Sequence, residues 1–343
     1  TAREVSAAVT TQESASGSIN YALSYGTFDD FISVVLGSDW QAPQTIAGVA
    51  GDITLTNVSA TAAALSSTTA GKFTNLNVGQ WVRILGFSNT ANNGFVRITA
   101  KADAQHLTVA TLAAAVTETP AAAAAQVRAQ TIMNGTQFKS LFIQQRLASD
   151  LWLRYPGCYV SAWTLAGGIG QFMNGAFSIL AQQEMNQTAD VSTGGILAAP
   201  SGKVMDPVGG FGGVLWNEVP VLATVDSFNL SFSNTGAAQE FGMGSSLAAG
   251  VLAGSMEVTG SIKMYFRDFT IYSRFKAETS GSLAFIMKDN ASNAYIITLP
   301  SALLLNAQIA AGGPGQPVWA TFQIEGNPQA GGGTVIVDKL PAI

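Results

Sequence analysis

A chain of 343 residues, 48% of them hydrophobic and with a mean hydropathy of +0.28, can build a sizeable core and is not a disordered segment. Only 11% of its residues are charged, against roughly 25% in ordinary soluble domains. The net charge of −5, with no basic run, excludes a protein that grips nucleic acid through its phosphates.

No stretch approaches the 18 apolar residues of a membrane-spanning helix, and TAREVSAAVTTQ lacks the apolar region of a secretory signal. The single cysteine, Cys158, provides no internal disulfide framework and fits a reducing cytoplasm. Sparse charge raises a problem of coverage. A compact 35.5 kDa monomer exposes roughly 13,000 Å², which 16 basic and 21 acidic side chains cannot cover. Such a surface favours self-association, so the composition predicts a subunit largely buried by copies of itself.

Along the chain, most segments alternate with the period of a half-buried strand. In SGSINYALSYG, Ile19, Tyr21, Leu23 and Tyr25 share one face. TFDDFISVVLG follows with Phe28, Phe31, Ile32, Val35 and Leu36 at helical spacing; Thr27 and Asp30 resemble a capping box and Gly37 a stop. Residues 51–127 read as a separate small β unit, with strands in ITLTNV, FTNLNVGQWVRILGF, GFVRITAKA and HLTVATL and a hairpin turn at Asn93-Gly94. Pro120 to Ala125 has the composition of a linker back to the main domain, which then comprises 1–50 and 128–343. The unit at 51–127 is expected to be dispensable for assembly.

Gln182 to Leu222 shows no period and is rich in Gly and Pro, which predicts an interaction arm. Phe228, Leu230 and Phe232 alternate again, and a second Gly-rich stretch runs from Gly236 to Gly254. The longest clean alternation is SMEVTGSIKMYF: Met256, Val258, Ile262, Met264 and Phe266 oppose Ser255, Glu257, Thr259, Ser261 and Lys263. DFTIYSRFK predicts a short helix with Asp268 as N-cap and Arg274 and Lys276 in its last turn. Ala320, Phe322 and Ile324 close the pattern.

Catalytic chemistry finds no support. One His and one Cys cannot hold a zinc ion. A Ser-His-Asp triad would have to use His106, which sits in an apparent strand, and Cys158 lies among apolar residues in PGCYVSAW. Of the carboxylates Asp29, Asp30, Asp206, Asp226, Glu240, Asp268 and Asp289 a glycosidase would need two facing across a cleft, and the adjacent Asp29 and Asp30 have a structural reason to sit in a helix first turn. Gly209 to Gly213 lacks a phosphate-loop ending, and Gly167, Gly168 and Gly170 lie between two strands with no following helix. We therefore expect no catalytic, cofactor-binding or metal-binding residue and no enzyme.

SASGSINYALSYGTFDDFISVVLGSDW resembles the strand-then-helix motif of the tail tube protein family of long-tailed bacteriophages, with its LSYG, its DD helix and a closing Trp40. Further blocks follow in the family's order: FKSLFIQQRLASDLWLRYPGCYVSAWTLAGGIGQFMNGAFSILAQ, VDSFNLSFSNTGAAQEFG, VTGSIKMYFRDFTIYSRF, SLAFIMKDNASNAYIITLPSALL and VWATFQIEG. They cover Ser14 to Gln44 and about Phe138 to Lys339. The resemblance extends to the tubes of contractile tails and of type VI secretion. It implies a β-sandwich with a flanking helix, six copies per ring, and strands joined into a barrel of roughly 24 Å backbone radius. It also implies rings stacked around a tape measure protein and later the DNA, in a virion tail assembled in the host cytoplasm, with tail terminator or tip proteins as further partners. The insert near 51–127 departs from the family pattern, as does the lack of the segment that normally precedes residues matching TAREVS. A capsid decoration or tail-tip β protein would share the low charge and β content.

Overall fold

The structure, a computed structural model, describes residues 11–120, 125–195, 198, 202–267, 269–330 and 332–342. It is mainly β. The chain opens with strand β1 (Ala15–Ala22) and helix α1 (Asp29–Leu36). Seven strands follow: β2 (Gln44–Ala47), β3 (Ile53–Ser59), β4 (Ala62–Ser67), β5 (Trp81–Leu85), β6 (Gly94–Lys101), β7 (His106–Thr111) and β8 (Gln126–Ala129). Next come β9 (Thr131–Met133), β10 (Leu141–Ala148), β11 (Leu151–Gly168), β12 (Asn174–Ala181), β13 (Met185–Gln187), β14 (Phe211–Trp216) and β15 (Val219–Pro220). The last part holds β16 (Val225–Thr235), β17 (Ala238–Glu240), β18 (Gly250–Leu252), β19 (Ser255–Tyr265), helix α2 (Thr270–Lys276), β20 (Gly281–Lys288), β21 (Ala294–Ala311), β22 (Val318–Asn327) and β23 (Ile336–Leu340).

One large antiparallel sheet runs β1-β12-β11-β16-β19-β22-β21-β20-β14-β15 and folds over on itself as a sandwich. The 18-residue β21 makes the fold-over possible. Its first half, Ala294 to Ala302, pairs with β20, while Ser301 to Ala311 pairs with β22, with an irregularity between Leu305 and Gln308. The change of partner falls at Ser301 and Ala302, beside a register shift in the pairing with β20, and Asn306 takes a positive φ of 46° further along, within the half paired with β22. The first layer is β1, β12, β11, β16, β19 and β22; the second is β20, β14 and the first half of β21, flanked by β23 and β9. Between them Phe228 of β16 meets Phe285 of β20 at 4.9 Å between ring centres, and Trp163 stacks on Phe232 at 4.4 Å. The expected alternations hold: Phe228, Leu230, Phe232, Val258, Ile262, Met264, Ala320, Phe322 and Ile324 are all buried.

Helix α1 also packs into this core, through Ile32, Val34, Val35 and Leu36. Gly37 stops it in the left-handed region at φ 58°, its N–H meeting the Val34 carbonyl. The start differs from the capping box. Phe28 holds the N-cap position with no side-chain cap, and Thr27 bonds Ser24 instead. The neighbouring Asp29 carboxylate takes hydrogen bonds from the Tyr295 hydroxyl and Lys339, which tie the helix start to the core. For α2, Asp268 lies outside the described residues and Phe269 occupies the N-cap position; Arg274 and Lys276 do fall in the last turn.

A second sheet of seven strands, in the order β2-β8-β5-β6-β7-β4-β3, spans Gln44 to Ala129, a few residues wider than 51–127 at each end. It has its own core, including Leu55, Phe73, Ile84, Ile98, Val109 and Val127. Asn93-Gly94 is not a two-residue turn: β5 ends at Leu85, a single 3-10 turn covers Thr90–Asn92, and Gly94 opens β6. Asn93 serves the loop differently, closing it through hydrogen bonds with the backbone of Phe87. Of the Pro120–Ala125 linker, residues 121–124 lie outside the described residues.

The two sheets share a buried joint. Trp81 of β5 packs with Leu215, Ala284, Ile286, Ala294, Ile296 and Leu340, which lie on the face of the second layer turned away from the sandwich core. Leu283, Phe285, Met287, Tyr295 and Ile297, the alternate residues of the same strands, face that core. Both faces of the second layer are therefore covered, as in sheets that read as continuous apolar runs. The Trp81 indole donates to the Thr298 hydroxyl at 3.1 Å, and Arg97 pairs with Glu218 across the joint.

The arm expected over Gln182 to Leu222 is only partly an arm. Phe211–Trp216 forms β14 with Val214, Leu215 and Trp216 buried, and Met205 is fully buried. Residues 196, 197 and 199–201 lie outside the described residues. Within the Gly236–Gly254 stretch, β17 and β18 pair as a small two-stranded sheet.

Candidate functional site

The residues able to carry chemistry are dispersed. His106 is exposed and bonds Asp103 at 2.9 Å. Cys158 is completely buried, and burial pushes its thiol up to about 11, so it is no thiolate at neutral pH. Asp206 accepts from the Val208 and Gly209 amides, Asp289 from those of Ala291 and Asn293, and Asp226 pairs with Lys263. Asp29 is held by Tyr295 and Lys339 as above. Each of these carboxylates has a structural task. Among the described residues, no three His, Cys, Asp or Glu side chains gather as a metal site, and no helix is long and apolar enough to cross a membrane.

What the fold does build is a continuous polar face. In an antiparallel sheet, residues directly opposite share a side. Register places Ala176, Thr164, Ser231, Thr259 and Glu325 in one row across five strands of the first layer. A neighbouring row holds Asn174, Ala166, Asn229, Ser261 and Gln323. These residues face away from the core, opposite Trp163, Leu230, Val258 and Ile324. The β19 alternation is retained, with Thr259 exposed and Val258 buried, although the strand ends at Tyr265 and leaves Phe266 just beyond it. The face is short-chained and nearly neutral. Its basic group, Lys263, is already paired to Asp226, while Glu257 accepts from Thr235.

Around this face the surface is unusually apolar. The β10–β11 hairpin exposes Phe142, Leu147 and Leu151, and α2 with the β15–β16 connection exposes Phe269 and Leu222, the latter at 88%. Met243 is fully exposed in the loop between β17 and β18. The accessible area, 16889 Å², exceeds that of a compact monomer of this mass. Apolar patches on so extended a surface mark contacts with other chains.

A family profile described as phage tail tube protein matches residues 1–336. The chain belongs to the phage tail tube protein family. No curated protein matches it. As a member of this family the protein is a structural component of a phage tail, and self-assembly into a tube accounts for the sparse charge and the exposed apolar side chains. The polar face and the apolar hairpin of the tail tube subunit are thus candidate assembly and channel surfaces, not a catalytic centre.

Sequence reasoning missed two features here. One is the joint around Trp81, for which the signal was the unbroken apolar run of SLAFIM and AYIITL. The other is the β10–β11 hairpin, whose Phe142, Leu147 and Leu151 lie in a mixed pattern that no core explains.

Proposed function

We propose that the protein is the repeating subunit of stacked hexameric rings, whose first-layer strands join those of neighbours into a barrel around the tail channel. The polar face carries this reading: five adjacent strands present Ser, Thr, Asn, Gln and Glu side chains over a largely apolar inner side. Such a lining is short and slightly acidic, so it repels phosphates weakly and lets a duplex slip past. Closing the barrel between subunits covers the outer edge of β1, which among the described residues pairs only with β12. The tape measure protein during assembly, and the DNA during ejection, would occupy the channel. Tail terminator and tip proteins would cap the stack, in a virion tail assembled in the host cytoplasm.

In this reading the insert lies on the tube exterior, because its sheet covers the layer on the far side from the polar face. Its joint with the second layer argues against the expectation that it is dispensable. Removing it would uncover Leu215, Ala284, Ile286, Ile296 and Leu340.

Cysteines placed at Thr259 or Ser261 test the lining. They should be shielded from a bulky thiol reagent in assembled tubes and react freely in the subunit; native Cys158, buried and protonated, adds little background. Equal labelling in both states would move this face to the outside.

A further inference from the structure

The joint between the insert and the sandwich contains one group that does not belong in an apolar cluster. On β23 the side chains alternate: Val337 enters the sandwich core, while Ile336, Asp338 and Leu340 turn to the other face. Asp338 lies opposite Ile296 on one side and Thr131 on the other, and Ile296 belongs to the cluster that receives Trp81. Its side chain is fully buried, and neither carboxyl oxygen makes a hydrogen bond of good geometry; the Thr131 hydroxyl and the Trp81 backbone N–H lie close enough to support its charge only weakly. An ionised carboxylate so poorly partnered at such depth is costly, so burial favours the protonated form.

The charged groups packed around β23 are engaged elsewhere. Arg97 of β6, whose charge acts on Asp338, is paired to Glu218 and bonds Ser282. Arg83 of β5 donates to the Ser292 carbonyl and Arg128 of β8 to that of Ala342. On β23 itself Lys339 points to the opposite face, toward Asp29. We propose that Asp338 makes the seating of the insert on the second layer depend on a proton: neutral, the carboxyl is tolerated in the joint, and ionised, it loosens the joint. Burial pushes this carboxyl up to about 7, against the weaker opposing pull of Thr131, the Trp81 backbone and Arg97.

The sign follows from linkage. An acid whose pKa is raised in the closed joint and ordinary in the opened one binds more protons when closed. The closed state is thus favoured fully below the ordinary carboxylate range and loses ground as pH rises to about 7, then changes no further. Hydrogen exchange of the Trp81–Leu85 and Gly281–Lys288 amides, taken as the ratio of wild type to Asp338→Asn at each pH, cancels the intrinsic chemistry of exchange. The ratio should climb about tenfold per pH unit from about pH 5 to about pH 7 and then level off, while amides of β16 and β19 show no such climb. A flat ratio, or an equal climb in the first layer, would overturn the proposal. Should Asp338→Asn fail to fold, infrared spectra of the wild-type protein decide. A protonated aspartic acid band, present at about pH 5 and lost by about pH 8, is the expected result; its absence throughout would overturn the assignment.

Discussion

Replacing Trp81 with alanine should destabilise the unassembled subunit by about 3–5 kcal/mol, the range found when a fully buried aromatic is emptied from a core. Trp81 is the insert's main contribution to the joint, fully buried against Leu215, Ile286 and Ile296. Its loss also leaves the Thr298 hydroxyl, itself fully buried, without the indole N–H. Trp81→Phe keeps part of the volume and loses that hydrogen bond, so it should cost less than half as much. Phe142→Ala, on the exposed hairpin, should stay within about 0.5 kcal/mol in the same assay. Urea unfolding of the three variants checks the order. Near-equal midpoints for Trp81→Ala and Phe142→Ala would mean the joint carries no load and the insert is an independent appendage.

A methyl group at Gly175 should be worse tolerated than its size suggests. A β-carbon there would lie 1.8 Å from the Thr164 carbonyl oxygen and 2.7 Å from its carbon, both backbone atoms of the neighbouring strand. The close approach serves a purpose. Gly175 is paired with Tyr21 on one side and Leu165 on the other, and the Tyr21 hydroxyl passes over it to donate to Thr164 O at 2.9 Å while accepting from the Trp163 indole. Backbone cannot retreat as a flexible side chain can. Gly175→Ala must therefore pry β12 from β11 and break the Tyr21–Trp163 link, at a cost of at least about 3 kcal/mol. Gly194→Ala, with open space around it, is the control and should change stability by less than about 0.5 kcal/mol. Thermal unfolding followed by aromatic circular dichroism reports both stability and the packing of Trp163. Equal melting of the two variants would contradict the account of this strand pair.

How much of this was legible beforehand depends on whether a residue's partner is local. The alternation in Phe228 to Phe232 and in Val258 to Met264 reads directly, because one face of each strand meets the core and the other does not. Gly37 could be identified because a left-handed stop demands glycine within the helix itself. The capping box of Thr27 and Asp30 failed because the helix opens at Asp29 behind Phe28, leaving Thr27 outside it and bonded to Ser24. Long-range partners hid β14 inside the apparent arm: FGGVLW has no period because Val214 and Trp216 meet one core while Leu215 meets the joint. Nothing local tells the chain that β21 will serve two layers, since the change of partner at Ser301 and Ala302 follows from where β20 and β22 lie. The polar face of the first layer is intermediate. Thr259 and Ser261 were visible as an outward set, but only register shows that Thr164, Ser231 and Glu325 extend it across five strands.

The central claim is that these surfaces exist to be covered by further copies. Negative-stain electron microscopy of the purified protein, over a concentration series, tests it most directly. The account predicts rings or tubes with a stain-filled channel and six subunits around it. A monodisperse monomer at high concentration, with no polymer of this chain in virions, would contradict it.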